Sequence, residues 1–266
     1  MSTPSSSKWN DGRLTACLLL QRTVIATRLA ERVARYNDIM RIAKLACALG
    51  ALVAVTPAQA SPSQDEQFWF LTLAQGSVKD DILYMLEVQP RFGGDGSNLN
   101  QILLRQAVGV KLNDHLSVYQ GYAAVRSPRS SGADVTEDRS FQQLNWSIGK
   151  VAGGALTSRT RFEQRWLSTG DDTGWRARQM LRYALPLSNK PRRLAAIASV
   201  EAFVALNDTD WGARSGFDRI RSFAGLEVPL SGKSTVEFGY LNQYVDNRGR
   251  RDAMNHVMAI NLMLRQ

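Results

Sequence analysis

Charged and apolar side chains alternate along this chain with a period of two, in segments of roughly ten residues, the length of a tilted strand that crosses a bilayer. Along residues 156–167, Arg159, Arg161, Glu163 and Arg165 share one face and Leu156, Phe162 and Trp166 the other, because successive strand side chains point to opposite sides. Residues 175–185 set Arg176, Arg178 and Arg182 against Trp175, Ala177, Leu181, Tyr183 and Leu185. The split recurs as Arg219, Arg221 and Glu227 against Ile220, Ala224, Leu226 and Val228, and as Glu237 and Gln243 against Val236, Phe238, Tyr240 and Tyr244. Arg105 and Lys111 lie opposite Leu104, Val108 and Val110, and Glu87 and Gln89 lie opposite Tyr84, Leu86 and Val88. No segment beyond residue 60 carries a helical period, so the class is all-β.

Eleven such segments are expected, at 67–73, 82–89, 99–112, 116–125, 141–148, 156–167, 175–185, 195–206, 217–228, 235–245 and 256–265. Tight connections at 113–115, 151–154, 188–193 and 231–233 interleave with longer ones at 93–98, 126–140, 168–174, 207–216 and 246–255. Short turns at one end and long loops at the other are the plan of outer-membrane barrels. Alternation alone suits a water-soluble periplasmic sandwich equally well. The aromatics favour the barrel: Trp146, Trp166, Trp175, Tyr183, Phe238 and Tyr244 sit on the apolar face, several near strand ends where membrane barrels carry interfacial girdles. The expected fold is an antiparallel up-and-down transmembrane β-barrel. Even strand parity gives about ten strands from Ile82 onward, with 67–73 as an extra segment at the rim or in the lumen, or twelve with a further partner.

In such a barrel the polar face lines the lumen. That face carries nine arginines (Arg105, Arg159, Arg161, Arg165, Arg176, Arg178, Arg182, Arg219, Arg221) and five glutamates (Glu87, Glu163, Glu201, Glu227, Glu237). Charges in a narrow interior must pair or stay wet. The surplus of positive charge leaves two readings: a salt-bridged filling, or guanidinium groups free to grip a carboxylate or phosphate on a small anionic solute.

The N-terminal 60 residues read as an address. Arg41 and Lys44 precede an apolar run at 45–55, then Thr56-Pro57 and Ala58-Gln59-Ala60, the order of a secretory signal cleaved after Ala60. Met40 stands where such a signal begins, which makes 1–39 an extended leader or an over-long start and leaves Met1 and Met40 as alternative first residues. The mature domain is then 61–266. Eight of the 33 Lys and Arg residues and three of the 24 acids lie in the first 60, so five of the nine excess charges go with the leader and no nucleic-acid partner is expected. Both cysteines, Cys17 and Cys47, go with it too, so the barrel domain holds no thiol chemistry.

A further set of motifs carries a resemblance. Arg159-Thr160-Arg161-Phe162-Glu163-Gln164-Arg165, Arg176-x-Arg178, Glu201-x-Phe203, Arg219-x-Arg221 with Phe223-Ala224-Gly225-Leu226, and Glu237-x-Gly239-Tyr240-Leu241-Asn242-Gln243-Tyr244 follow one another in that order. Together they resemble the bacterial family catalogued as domain of unknown function 2490, from about Trp69 to the C-terminus. The resemblance implies a cell outer membrane location and a barrel fold, and no reaction. Implied partners are outer-membrane lipid, lipopolysaccharide and the barrel assembly machinery, although the end Leu262-Met263-Leu264-Arg265-Gln266 lacks the terminal aromatic that the machinery commonly reads.

A lipid A or phospholipid modifying enzyme is the alternative function. It needs a base beside a nucleophile or carboxylate. The two histidines are poorly placed for this, His115 in a tight turn and His256 at the start of the last strand. Asp171-Asp172, Asp208-Thr209-Asp210 and the Arg248, Arg250, Arg251 cluster fall in long loops without the spacing of a calcium site. The sequence therefore assigns no catalytic residue, metal ligand or cofactor, and favours a structural barrel or a narrow anion-preferring pore.

Overall fold

The computed structural model describes residues 61–188, 193–248 and 250–266. The leader, the signal segment and both cysteines lie outside the described residues, as does most of the turn at 188–193. Eleven strands follow in chain order: β1 (Ser63–Lys79), β2 (Ile82–Gly93), β3 (Asn98–Lys111), β4 (Leu116–Ser127), β5 (Val135–Val151), β6 (Gly154–Leu167), β7 (Gly174–Pro186), β8 (Ala195–Ala205), β9 (Gly216–Pro229), β10 (Thr235–Val245) and β11 (Ala253–Arg265). They close into one barrel in which each strand pairs with its sequence neighbours and β1 pairs with β11.

The count of eleven corrects the even parity expected from the sequence. The segment at 67–73 is the middle of a 17-residue strand, neither an extra piece at the rim nor half of a further hairpin. β1 pairs antiparallel with β2 and parallel with β11, from Ser63↔Ala253 to Gln75↔Arg265. An odd number of strands in an up-and-down order requires one parallel seam, and this pairing supplies it. Ser63 consequently begins at the long-loop end, where its N–H donates to the Asp252 carbonyl at 2.8 Å.

Turn chemistry sets the register at the other end. β5 and β6 are joined by Ala152 and Gly153, both at positive φ (47° and 86°), the two-residue turn whose twist matches its flanking strands. Side chains sort cleanly between the two faces of the wall. Leu86, Leu104, Val108, Leu181, Phe238 and Met258 point outward and are exposed, whereas Arg105, Arg161, Glu163, Arg178 and Glu201 point inward and are buried. A water-soluble barrel has the reverse arrangement. Trp166 and Trp175 stand outside near the long-loop end and Trp146 near the short-turn end, forming aromatic bands at two heights.

Candidate functional site

Inside the barrel, parity of the inward positions brings the arginines and glutamates of neighbouring strands into one layer at mid-height. Glu163 on β6 is its hub. It accepts from Arg176 on β7 at 2.5 Å and from Arg178 Nη1 at 2.7 Å, and lies 3.6 Å from Arg161 on its own strand. Arg178 reaches across to Glu201 on β8 at 2.7 Å, and Arg159 reaches the same carboxylate at 2.9 Å. Arg105 on β3 pairs with Glu87 on β2. The side chains of Arg161 and Glu163 are each 1% exposed, so this layer fills the lumen.

Aromatic faces complete the packing. Arg161 lies 4.5 Å from the Phe141 ring centre, and Arg178 and Arg221 lie 4.5 Å and 4.7 Å from that of Phe203, within cation–π range. The Phe141 ring covers Gly121 so closely that a β-carbon there would sit 2.2 Å from it, which fixes glycine at that position. Trp69 on β1 is held between Arg91 at 4.0 Å and Arg221 at 5.0 Å.

Above this layer, toward the long loops, Glu137 accepts from Arg139 at 2.7 Å and Arg165 at 2.5 Å, and Asp218 pairs with Arg219 at 3.1 Å. Two long loops then interlock over the end. Asp210 accepts the Asp171 and Asp172 backbone N–H groups at 2.7 Å and 3.2 Å, and Trp211 donates to the Asp172 carbonyl at 2.8 Å. The Asp171 backbone hydrogen bond, foremost, holds the Asp210 carboxyl below its ordinary value, and the Ser215 N–H does the same for Asp208. These loop aspartates therefore act as caps for backbone donors. Arg251 is tied likewise, donating to the Ser61 carbonyl at 2.5 Å, and Arg248 donates to that of Ser215 at 2.6 Å.

Below the layer the lumen opens into a vestibule of about 630 Å³ that reaches the short turns at Asn113, Asp114 and His115. Its floor includes Arg91, Arg105, Arg159, Arg178 and Arg221 with Glu87 and Glu201. Its wall is apolar along β1 and β2 (Leu71, Leu73, Leu83, Met85), continuing through Phe223, Leu241 and Met263, and polar along β5 and β6 (Gln143, Asn145, Ser147, Thr157). Arg182 spans Glu227 and Glu237 near the mouth at 2.7 Å and 2.8 Å. Among the described residues, buried Arg105 Nε and Arg159 Nε, both on floor residues, have no hydrogen-bond partner, nor does Arg161 Nη1.

All fourteen charged residues singled out from the sequence sit at inward positions, but in two environments. Glu237 and Arg182 belong to the vestibule wall, with Glu227 paired to Arg182 beside it; the rest belong to the layer that floors the vestibule or to the packing above it. Arg91, Glu137, Arg139 and Trp69 join them and were missed because they lie beyond the expected strand limits or, for Trp69, in the discounted first segment. The same alternation, extended by two to four residues, marks Arg91, Arg139 and Glu137. His115 faces the Ser147 carbonyl at 3.2 Å in its turn beside Asp114, and His256 meets the Tyr240 hydroxyl at 2.6 Å on the outer face, with Glu66 as its register partner on β1.

The model of the family described as "protein of unknown function (DUF2490)" matches residues 66–255, most of the barrel. The chain belongs to this family. Another similar protein is an uncharacterized protein of Methylorubrum extorquens, 51% identical over 208 residues that cover 78% of this chain and 91% of that one. Among solved structures, a NanC porin aligns with 71% of this DUF2490 chain and 92% of its own, at 14% identity and a TM-score of 0.44.

Proposed function

We propose that this DUF2490 protein is an outer-membrane barrel without enzymatic activity. Its lumen is closed to conduction and its vestibule takes a small anionic solute from the periplasmic side. The single observation that supports the closed state is the arginine–glutamate layer around Glu163, whose central side chains have almost no contact with solvent. A narrow anion-preferring pore needs a continuous wet path, and this layer occupies it. The surplus of guanidinium groups over carboxylates on the vestibule floor supports the anion. Lipid and lipopolysaccharide face the outer belt, and the long loops lie outside the cell in this orientation.

Planar-bilayer recording of the purified full-length chain tests the reading. The expected result is no channel events at neutral pH. Steady anion-selective current would overturn the closed state and favour the pore. Recovery in an osmotic-shock fraction, in place of a heat-modifiable band in the detergent-extracted outer membrane, would overturn the location.

A further inference from the structure

The outer wall is not uniformly apolar. Across β3 to β7, outward positions near the middle of the strands carry Gln106, Gln120, Gln142, Thr160 and Gln179, all exposed. They are joined into short chains. Gln164 donates to Gln142 at 3.0 Å, Gln142 to Gln120 at 2.8 Å and Gln120 to the Ser140 hydroxyl at 3.1 Å. Thr160 donates to Gln179 at 2.6 Å, and Gln179 to the Ser158 hydroxyl at 2.8 Å. The wall formed by β8 to β11 presents Val200, Ile220, Leu226, Phe238, Met258 and Ile260, with one polar set, Asn242, Tyr240 and His256, nearer the long-loop end.

A primary amide offers two donors and two acceptor lone pairs. Gln120 and Gln179 use both donors within the wall, the second on the Gly121 and Met180 carbonyls at 3.4 Å and 3.2 Å, whereas among the described residues Gln142 and Gln164 each use one and keep one. In hydrocarbon there is no water to satisfy what remains. Between the amides lies an outward hollow of about 560 Å³, walled by Val108, Val118, Leu144 and Phe162. A stripe of amides at mid-membrane depth beside an apolar hollow is a surface built to meet protein. Because each amide both donates and accepts, the stripe is complementary to itself, which an isologous contact requires.

We infer that the β3–β7 face is a homotypic interface, where a second copy of this chain packs its glutamine stripe against the first within the membrane. This inference rests on the proposed membrane location and is independent of whether the lumen conducts.

Single-cysteine variants of the full chain, in a Cys17→Ser, Cys47→Ser background, test it by oxidative cross-linking in the native membrane. Gln120→Cys and Gln142→Cys are expected to give a covalent dimer, and Ile220→Cys on the opposite wall is expected to give none. Gln120→Leu combined with Gln142→Leu is expected to halve the mass of the detergent-extracted particle while retaining heat-modifiable migration, which separates loss of the interface from loss of the fold. Three results would overturn the inference: no dimer from either stripe position, equal cross-linking from Ile220→Cys, or a cross-linked product whose mass requires a different protein. An unchanged particle mass in the double leucine variant would also sink it.

Discussion

The two halves of the lumen use the same residue types to opposite ends. At mid-height arginine and glutamate are dry and interlocked, with Glu163 serving Arg176 and Arg178 and approached by Arg161, and exposure rises again only at the long-loop end, to 26% at Arg219. Toward the short turns the charges are sparser and wetter: the side chains of Arg182 and Glu227 are 22% and 20% exposed, and part of the wall beside them is leucine and methionine. Charge alone therefore does not make a pore. A guanidinium closes the barrel where carboxylates surround it and leaves a binding floor where they run short.

The largest expected effect comes from removing the hub. Glu163→Gln leaves buried guanidinium groups without their shared carboxylate, a loss of about 3–5 kcal/mol when one partner of a buried pair is deleted. Urea unfolding in lipid vesicles measures it, and single-channel events from the variant would show that the upper half had been the barrier. A smaller cost, about 2–4 kcal/mol, is expected for Leu181→Arg, which puts a charge near mid-strand on the outward apolar face that meets lipid in the proposed location, beside inward Arg182. Folding yield into vesicles reads this directly, and a neutral result would deny that Leu181 meets lipid.

Arg182→Ala, in the wet half, should cost about 1 kcal/mol or less in the same urea assay, as partly solvated pairs do. Equality with Glu163→Gln would erase the distinction between the halves. The smallest effect is local. Because the folded Asp210 carboxyl titrates below its ordinary value of 3.8, its grip on the Asp171 and Asp172 amides is fully present above that value and lost as pH falls through the depressed one. Hydrogen exchange at those two amides should quicken over that acid range, and in Asp210→Asn it should be fast already at neutral pH with the barrel otherwise unchanged.

Period-two alternation made the eleven segments and the inward face legible, since a strand has only two sides and the arginine–glutamate series keeps to one of them. Closure was not legible. Even strand parity sets Gln67 to Leu73 outside the wall, and nothing local shows that its partner is the far end of the chain. Residue type also misleads where parity does not: Gln120 and Gln142 look like lumen residues and point outward. The loop locks, such as Asp210 on the Asp171 amide, depend on contacts across 39 positions that no periodicity encodes.

The parallel joint between the first and last strands has a kinetic consequence. Every other joint in the cylinder forms between strands adjacent in the chain, so the sheet can grow hairpin by hairpin, but Ser63 must wait for a segment 189 positions downstream. Sealing the wall is thus the final event of assembly, and parallel pairing, slightly less stable per residue, makes this line the place where a finished barrel would first unzip.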